Sequence, residues 1–314
     1  MWVWQVVRGV AGLRAGGGQR VGSSIDVVLV DACLRAGAGG SPTAVVRHHD
    51  GLEDTDLVRI PALTGTSHVA VIRLPASPGD TRAVRFFTAE GELPGCGHGT
   101  VATIAVLSSG PGRVGFEGRL HAGGRDFDAS GVCDPSGEVV EVWFDQGLVE
   151  HRPADAGLIG PFLDALELGI GDLHPEDEPT VASPGRPRLL LPVADRDVLA
   201  ALRPDQERLA FESRRHGHLG CFVYTPPSPS RRSSARMFAP AIGVPEDVAN
   251  ANSTGCLAAH LLAMGREPAV AVDQGDALGR PSTVYATAVR TPHGIAARVG
   301  GTARLVRTSH LTVT

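Results

Sequence analysis

The chain has 314 residues, a formal net charge of −5 and 42% hydrophobic against 20% charged residues; this is the balance of a soluble globular protein of one large domain or two, and it excludes wholesale disorder. The acidic balance excludes an ordinary nucleic-acid binder, and no apolar run is long enough for a membrane span. All 29 basic residues are Arg and there is no Lys, which removes pyridoxal-phosphate and P-loop chemistry at a stroke.

With 4% aromatics, 40 Gly and 23 Pro, the chain favours tight turns and strands over helical bundles. Residues 1–24 lack a basic n-region ahead of their apolar part and read as a flexible leader, not a signal peptide. From Ile25 the pattern is strand-like (IDVVLVDACL, TAVVR, HVAVIRLP, AVRFFTAE), with a short helix cut by Pro61 between the second and third runs. Pro94, Gly95, Gly97 and Gly99 then make a turn that opens onto residues 100–107 (TVATIAVL), apolar on every side. A helix without a polar face must be buried all round, so strands are expected to wrap it.

The middle of the chain reads as a strand and crossover at residues 142–157, a short helix at 158–168 and a loop over HPEDEPTVASPGRP. The strand RLLLPV, helical segments broken at Pro204, the strand CFVYTPP and a solvated loop PPSPSRRSSAR follow. At residues 250–264 (NANSTGCLAAHLLAM) a small polar turn again leads into an apolar helix, which points to an internal duplication. The remainder alternates like antiparallel strands around Gly294, Gly300 and Gly301. Two such halves would present two helix N-termini to one cleft, and unpaired N–H groups there bind carboxylates. The candidate donors are Gly97, Gly99 and Thr100 on one side and Asn252, Ser253, Thr254, Gly255 and Cys256 on the other, with Arg280 either binding a carboxylate or pinning the last strands.

The segments ELPGCGHGT, FAPAIGVPED, STGCLAAHL, QGDALGRPS and ARVGGTARLV, in that order over residues 25–314, resemble the signatures of the PhzF-like (phenazine biosynthesis) isomerases of the diaminopimelate epimerase-like fold. The resemblance implies an α+β protein of two similar domains, each a β-barrel-like sheet around a central buried helix, with the active site between them. It divides the chain into a first domain of residues 25–149 and 285–314 and a second of residues 150–284. It also implies a cofactor-independent isomerase, with no metal, acting beside a carboxylate.

Where that family carries a glutamate in an S-E-T segment, this chain reads Ser67, His68, Val69, so His68 stands in the place of the acid/base, and imidazole can carry a proton at neutral pH. Cys96, ahead of Gly97, His98, Gly99 and Thr100, resembles instead the thiol base of the proline racemase branch, whose second thiol would fall at Asn252 here and is absent. The expected catalytic set is therefore His68, Cys96 and His98. Each also has a plain structural reading: Cys96 as a small buried hydrophobe, His68 as a surface or capped core residue, His98 as a turn hydrogen-bond donor. Cys33, Cys133, Cys221 and Cys256 read as structural, and His216 with His218 as an exposed basic turn.

The function expected is proton and double-bond relocation in a small carboxylic or cyclic amino acid of secondary metabolism, such as an unsaturated pyrroline carboxylate of an alkylproline antibiotic pathway. The rivals are a proline-type racemase using Cys96 and a binding protein that kept the fold. The expected partner is a small-molecule carboxylate in the cytoplasm, with no nucleic acid and no membrane, and a homodimer is left open.

Overall fold

A computed structural model describes residues 23–47, 52–73, 81–110 and 114–313. Of the leader, residues 1–22 lie outside the described residues, while Ser23 and Ser24 open the strand Ser23–Ala32. The apolar alternation noted above becomes one hydrogen-bonded sheet that folds into two rings, each enclosing a helix.

The first ring runs Ser23–Ala32, Ser41–Arg47, His68–Arg73, Arg82–Thr88, Gly115–Ala122, Arg125–Cys133, Val139–Leu148 and Gly294–Val313, and closes because the last strand pairs back onto the first. Inside lies the helix Gly97–Ser108, every residue of which is buried. A closed ring of strands leaves no edge and offers an apolar interior on all sides, which is what TVATIAVL requires.

The second ring continues from the same long strand Gly294–Val313 through Ser282–Thr291, Val270–Gln274, Arg232–Ala239, Cys221–Tyr224, Arg188–Pro192, Thr180–Ser183 and Glu150–Pro153. It returns through Val149, whose N–H donates to the Ile295 carbonyl at 2.8 Å. Its helix is Ala251–Ala263, capped by Asn250. Among the described residues no helix is long and apolar enough to cross a membrane.

Three sequence readings change. Thr180–Ser183 is a strand inside the stretch read as loop, because Val181 and Ala182 are buried between two partner strands. The loop read over residues 226–236 ends earlier, since Ser233, Ser234 and Ala235 are buried in Arg232–Ala239. His218 is not exposed: it is 3% accessible, lies against Phe162, and burial lowers its pKa to about 4.

Candidate active site

The two central helices begin at the same point. A β-carbon on Gly97 would lie 2.6 Å from Ala251 Cβ and 3.1 Å from Asn252 N, so only glycine lets the helix starts meet. Around that meeting point lies a cleft of about 370 Å³, a volume suited to a small ligand. His68, Cys96, His98, Arg188, Gln146 and Asp247 are on its wall.

His68 opens the strand His68–Arg73 after a turn that Gly65, in the left-handed region, and Thr66, whose hydroxyl donates to the His68 carbonyl at 3.0 Å, hold in place. Its Nδ1 is 2.8 Å from Ser67 Oγ and 3.0 Å from His98 Nε2. His98 Nδ1 must carry a hydrogen, because it donates to the Ala249 carbonyl at 3.1 Å, and Asp247 Oδ1 stands 3.6 Å away. Asp247 is held in turn by Asn250 Nδ2 at 2.9 Å. A carboxylate, two imidazoles and an open ring nitrogen thus form one line, since His68 Nε2 has no hydrogen-bond partner among the described residues and its ring faces the cleft.

The electrostatics place the proton. Burial opposes a charge on His98, but the Cys96 sulfur, the Asp247 carboxylate and the bond to Ala249 together raise its pKa to about 10. Burial, then the charge on His98, lower His68 to about 3 against the pull of Asp247. Burial works against the Asp247 carboxylate too, yet the two histidines and its hydrogen bonds hold its pKa below the usual value. At neutral pH the pair carries one extra proton, on His98, with neutral His68 as its outlet.

Cys96 caps the first helix: its sulfur accepts from Gly99 N at 3.3 Å and lies 3.4 Å from His98 Nε2. The donor atoms of His68, Cys96 and His98 all lie within 4.8 Å of one another, a set a thiophilic ion accepts. The 3.0 Å between the two imidazole nitrogens is nevertheless the spacing of a shared hydrogen; nitrogens around tetrahedral zinc stand about 3.3 Å apart.

The remaining expected residues divide. Gly97, Thr100 and Asn252 line the cleft; Gly99, Ser253, Thr254, Gly255, Cys256 and Arg280 do not. Gly99 N is taken by the Cys96 sulfur, and Ser253 N by Asn250 Oδ1 at 2.9 Å, so these N–H groups serve as caps and are not offered to a ligand. Among the described residues, the cleft-lining first-turn N–H groups without a partner belong to Gly97, His98 and Asn252. Cys256 is fully buried and burial raises its pKa, so no second thiol faces Cys96. Arg280 is half exposed and 3.9 Å from Asp31, away from the cleft.

Sequence reasoning missed Ser67, Asp247, Gln146 and Arg188. Asp247 ends the FAPAIGVPED segment, and Arg188 is the single charge heading the apolar run RLLLPV; both were visible signals.

A profile of the phenazine biosynthesis-like proteins (PhzC-PhzF) matches residues 30–309. An uncharacterized isomerase of Deinococcus radiodurans is 32% identical over 85% of this chain and 88% of its own length. The trans-2,3-dihydro-3-hydroxyanthranilate isomerase of Pseudomonas fluorescens is 30% identical over 83% and 89% respectively. The crystal structure of a Bacillus anthracis phenazine biosynthesis protein of the PhzF family superposes with a TM-score of 0.77 at 19% identity, covering 93% of this chain and all of that one, and so matches the fold. Twin barrels sharing a strand, helix starts meeting at a histidine-lined cleft, and a profile match across nearly the whole chain lead to one assignment: the chain belongs to the phenazine biosynthesis-like (PhzF) isomerase family.

Proposed function

We infer that the protein is a cofactor-independent isomerase that moves a proton, and with it a double bond, within a small carboxylic or cyclic amino acid. The observation that carries this reading is the line Asp247, His98, His68, which ends in an open imidazole nitrogen beside the converging helix starts. A carboxylate would sit at the free N–H groups of Gly97, His98 and Asn252, where the two helix dipoles also favour negative charge.

The charge state sets the order of events. His68 Nε2 gives its proton to one carbon of the unsaturated acid while His98 Nε2 passes its own to His68 Nδ1. The open Nε2 then takes a proton from a second carbon, and the Nδ1 proton returns to His98. One face and one relay suffice, and the enzyme ends in the state in which it began. The absence of Lys excludes Schiff-base assistance.

Within this class we favour an unsaturated pyrroline carboxylate of an alkylproline antibiotic pathway. The Pseudomonas fluorescens relative is named for a dihydro-hydroxyanthranilate, and the exchange of the glutamate implied by family resemblance for His68 supports a different acid here. Five free cysteines suit a reducing compartment, and we place the protein in the cytoplasm. The test is turnover of such a pyrroline acid in deuterated water, followed by NMR and mass spectrometry. One deuterium at a new carbon, with a shifted double bond, supports the reading. Exchange at the α-carbon with loss of chirality would mean a racemase, and no incorporation would mean a binding protein.

A further inference from the structure

The proton relay and the cap of the first helix share one corner of the cleft. His98 Nε2 stands 3.0 Å from His68 Nδ1 and 3.4 Å from Cys96 Sγ, and the donor atoms of all three lie within 4.8 Å of one another. Around a tetrahedral zinc ion two nitrogens stand about 3.3 Å apart, and a nitrogen and a sulfur about 3.6 Å. The imidazoles would have to part by about 0.3 Å, and His98 from the sulfur by about 0.2 Å, to admit such an ion. The hydrogen shared by the two rings is what holds them closer.

The surroundings prepare each donor. His98 gives its other ring hydrogen, on Nδ1, to the Ala249 carbonyl at 3.1 Å, with the Asp247 carboxylate 3.6 Å away; this outer-shell arrangement leaves Nε2 as the metal-facing nitrogen of a ligating histidine. Burial and the neighbouring His98 keep His68 neutral, so it has a lone pair to offer. The Gly99 N–H, 3.3 Å from the Cys96 sulfur, fixes the sulfur beside His98. A coordinating thiol is deprotonated outright, so a thiolate and the Asp247 carboxylate behind it would balance a divalent charge. All three residues line the cleft, which gives an ion its path and leaves a fourth position open. Arg125, Arg186 and Arg188 line the same cleft, so that fourth position suits an anion.

We propose that His68, Cys96 and His98 form a binding site for a thiophilic divalent ion, zinc foremost, and that the bound ion switches the enzyme off. Binding forms bonds from the metal to Cys96 Sγ, His98 Nε2 and His68 Nδ1. The hydrogen shared by the two rings and any hydrogen on the sulfur leave to water as protons, and nothing is oxidised or reduced. The Ser67 hydroxyl, 2.8 Å from the same His68 nitrogen, gives up that hydrogen bond. With the shared hydrogen gone and both nitrogens occupied, the relay has nothing to pass. The site rests on the geometry, whereas the inhibition rests on the isomerase reading. Magnesium and calcium, which take oxygen ligands, find no match here.

Cobalt(II), which takes the place of zinc and reports a thiolate ligand by its absorption, tests the site in the full chain without a turnover assay. The wild type should bind cobalt with a thiolate-to-metal charge-transfer band in the near ultraviolet, and zinc should displace it. Cys96→Ser should lose that band. His68→Asn should weaken zinc, titrated calorimetrically, at least about a hundredfold, beyond the usual cost of losing an outer-shell partner, and Asp247→Asn about tenfold. His68 lies on a separate element, so its variant keeps the test open if Cys96→Ser does not fold. A wild type without the band, a band that survives in Cys96→Ser, or unchanged zinc affinity in His68→Asn overturns the site. In the deuterium assay, zinc should remove turnover, a chelator should restore it, and magnesium should do neither; turnover kept or raised by zinc overturns the switch. Zinc bound as expected to a chain that shows no turnover even without metal would sink the isomerase reading and leave the site standing.

Discussion

Gly97 and Ala251 stand so close that no β-carbon fits between them: one built on Gly97 would come within 2.6 Å of Ala251 Cβ. Both residues are the first of their helices, so this contact sets the distance between the two sets of free N–H groups. It also sets where His98, one residue further on, meets the Ala249 carbonyl and Asp247 of the other half.

Gly97→Ala is therefore expected to push the helix starts apart. Overpacking of this kind costs about 1–3 kcal/mol, visible as a lower midpoint in urea unfolding, and the displacement of His98 from Asp247 should reduce turnover more than stability alone explains. An unchanged midpoint together with wild-type turnover would mean that the halves adjust freely.

Removing the outlet of the relay should be more severe for chemistry and milder for the fold. His68→Ala is expected to lower kcat at least about a hundredfold, the scale of losing a general acid and base, while affinity for a carboxylate probe stays near wild type because the helix starts hold the anion and the His68 Nε2–H serves the reacting carbon. Loss of probe binding in step with kcat would instead make His68 part of the anion site.

The pH dependence of stability follows from the same pair. His98 has its pKa raised from 6.5 to about 10, so its contribution is complete below pH 6.5 and is lost as pH rises through about 10. His68 is lowered from 6.5 to about 3, so below pH 6.5 the unfolded chain takes up a proton that the folded chain refuses, and stability falls toward pH 3. Urea unfolding across this range should show a maximum near pH 6.5, and His68→Asn should flatten the acid limb. An acid limb unchanged in that variant would assign the loss to carboxylates such as Asp247.

Much of the frame is legible in local pattern, because its signals are local. TVATIAVL has no polar face, and NANSTGCLAAHLLAM repeats the device, so two buried helices with small-residue starts followed directly; both are found, as Gly97–Ser108 and Ala251–Ala263. Thr180–Ser183, by contrast, is too short and too closely flanked by Pro179 and Pro184 to announce a strand, and exists because two neighbours pair with it. The site divides in the same way. His68, Cys96 and His98 carry chemistry in their own letters, but Asp247 and Arg188 acquire meaning only when chain closure brings them to the cleft, His98 meeting Ala249 across 151 residues. Nor could spacing reveal that Gly99 N and Ser253 N are already used as caps.

Cys96 separates the proton relay from a racemase-like thiol. Its sulfur accepts from Gly99 N as a helix cap and touches His98 Nε2, and the position opposite, where a second thiol would have to stand, is held by Asn252 while Cys256 is buried. If the sulfur only caps and orients, Cys96→Ser should keep both functions, since serine is among the best N-cap residues; stability should match wild type and turnover should fall less than about tenfold. Cys96→Ala removes the cap and should cost about 1 kcal/mol, with a turnover loss well below that of His68→Ala. Pairing the two alanine variants in one set of kinetic and unfolding measurements makes the ranking decisive. Were Cys96→Ser as damaged as His68→Ala, while its unfolding midpoint stayed at the wild-type value, the proton carrier would be the thiol, and His68 would be the residue that merely positions His98.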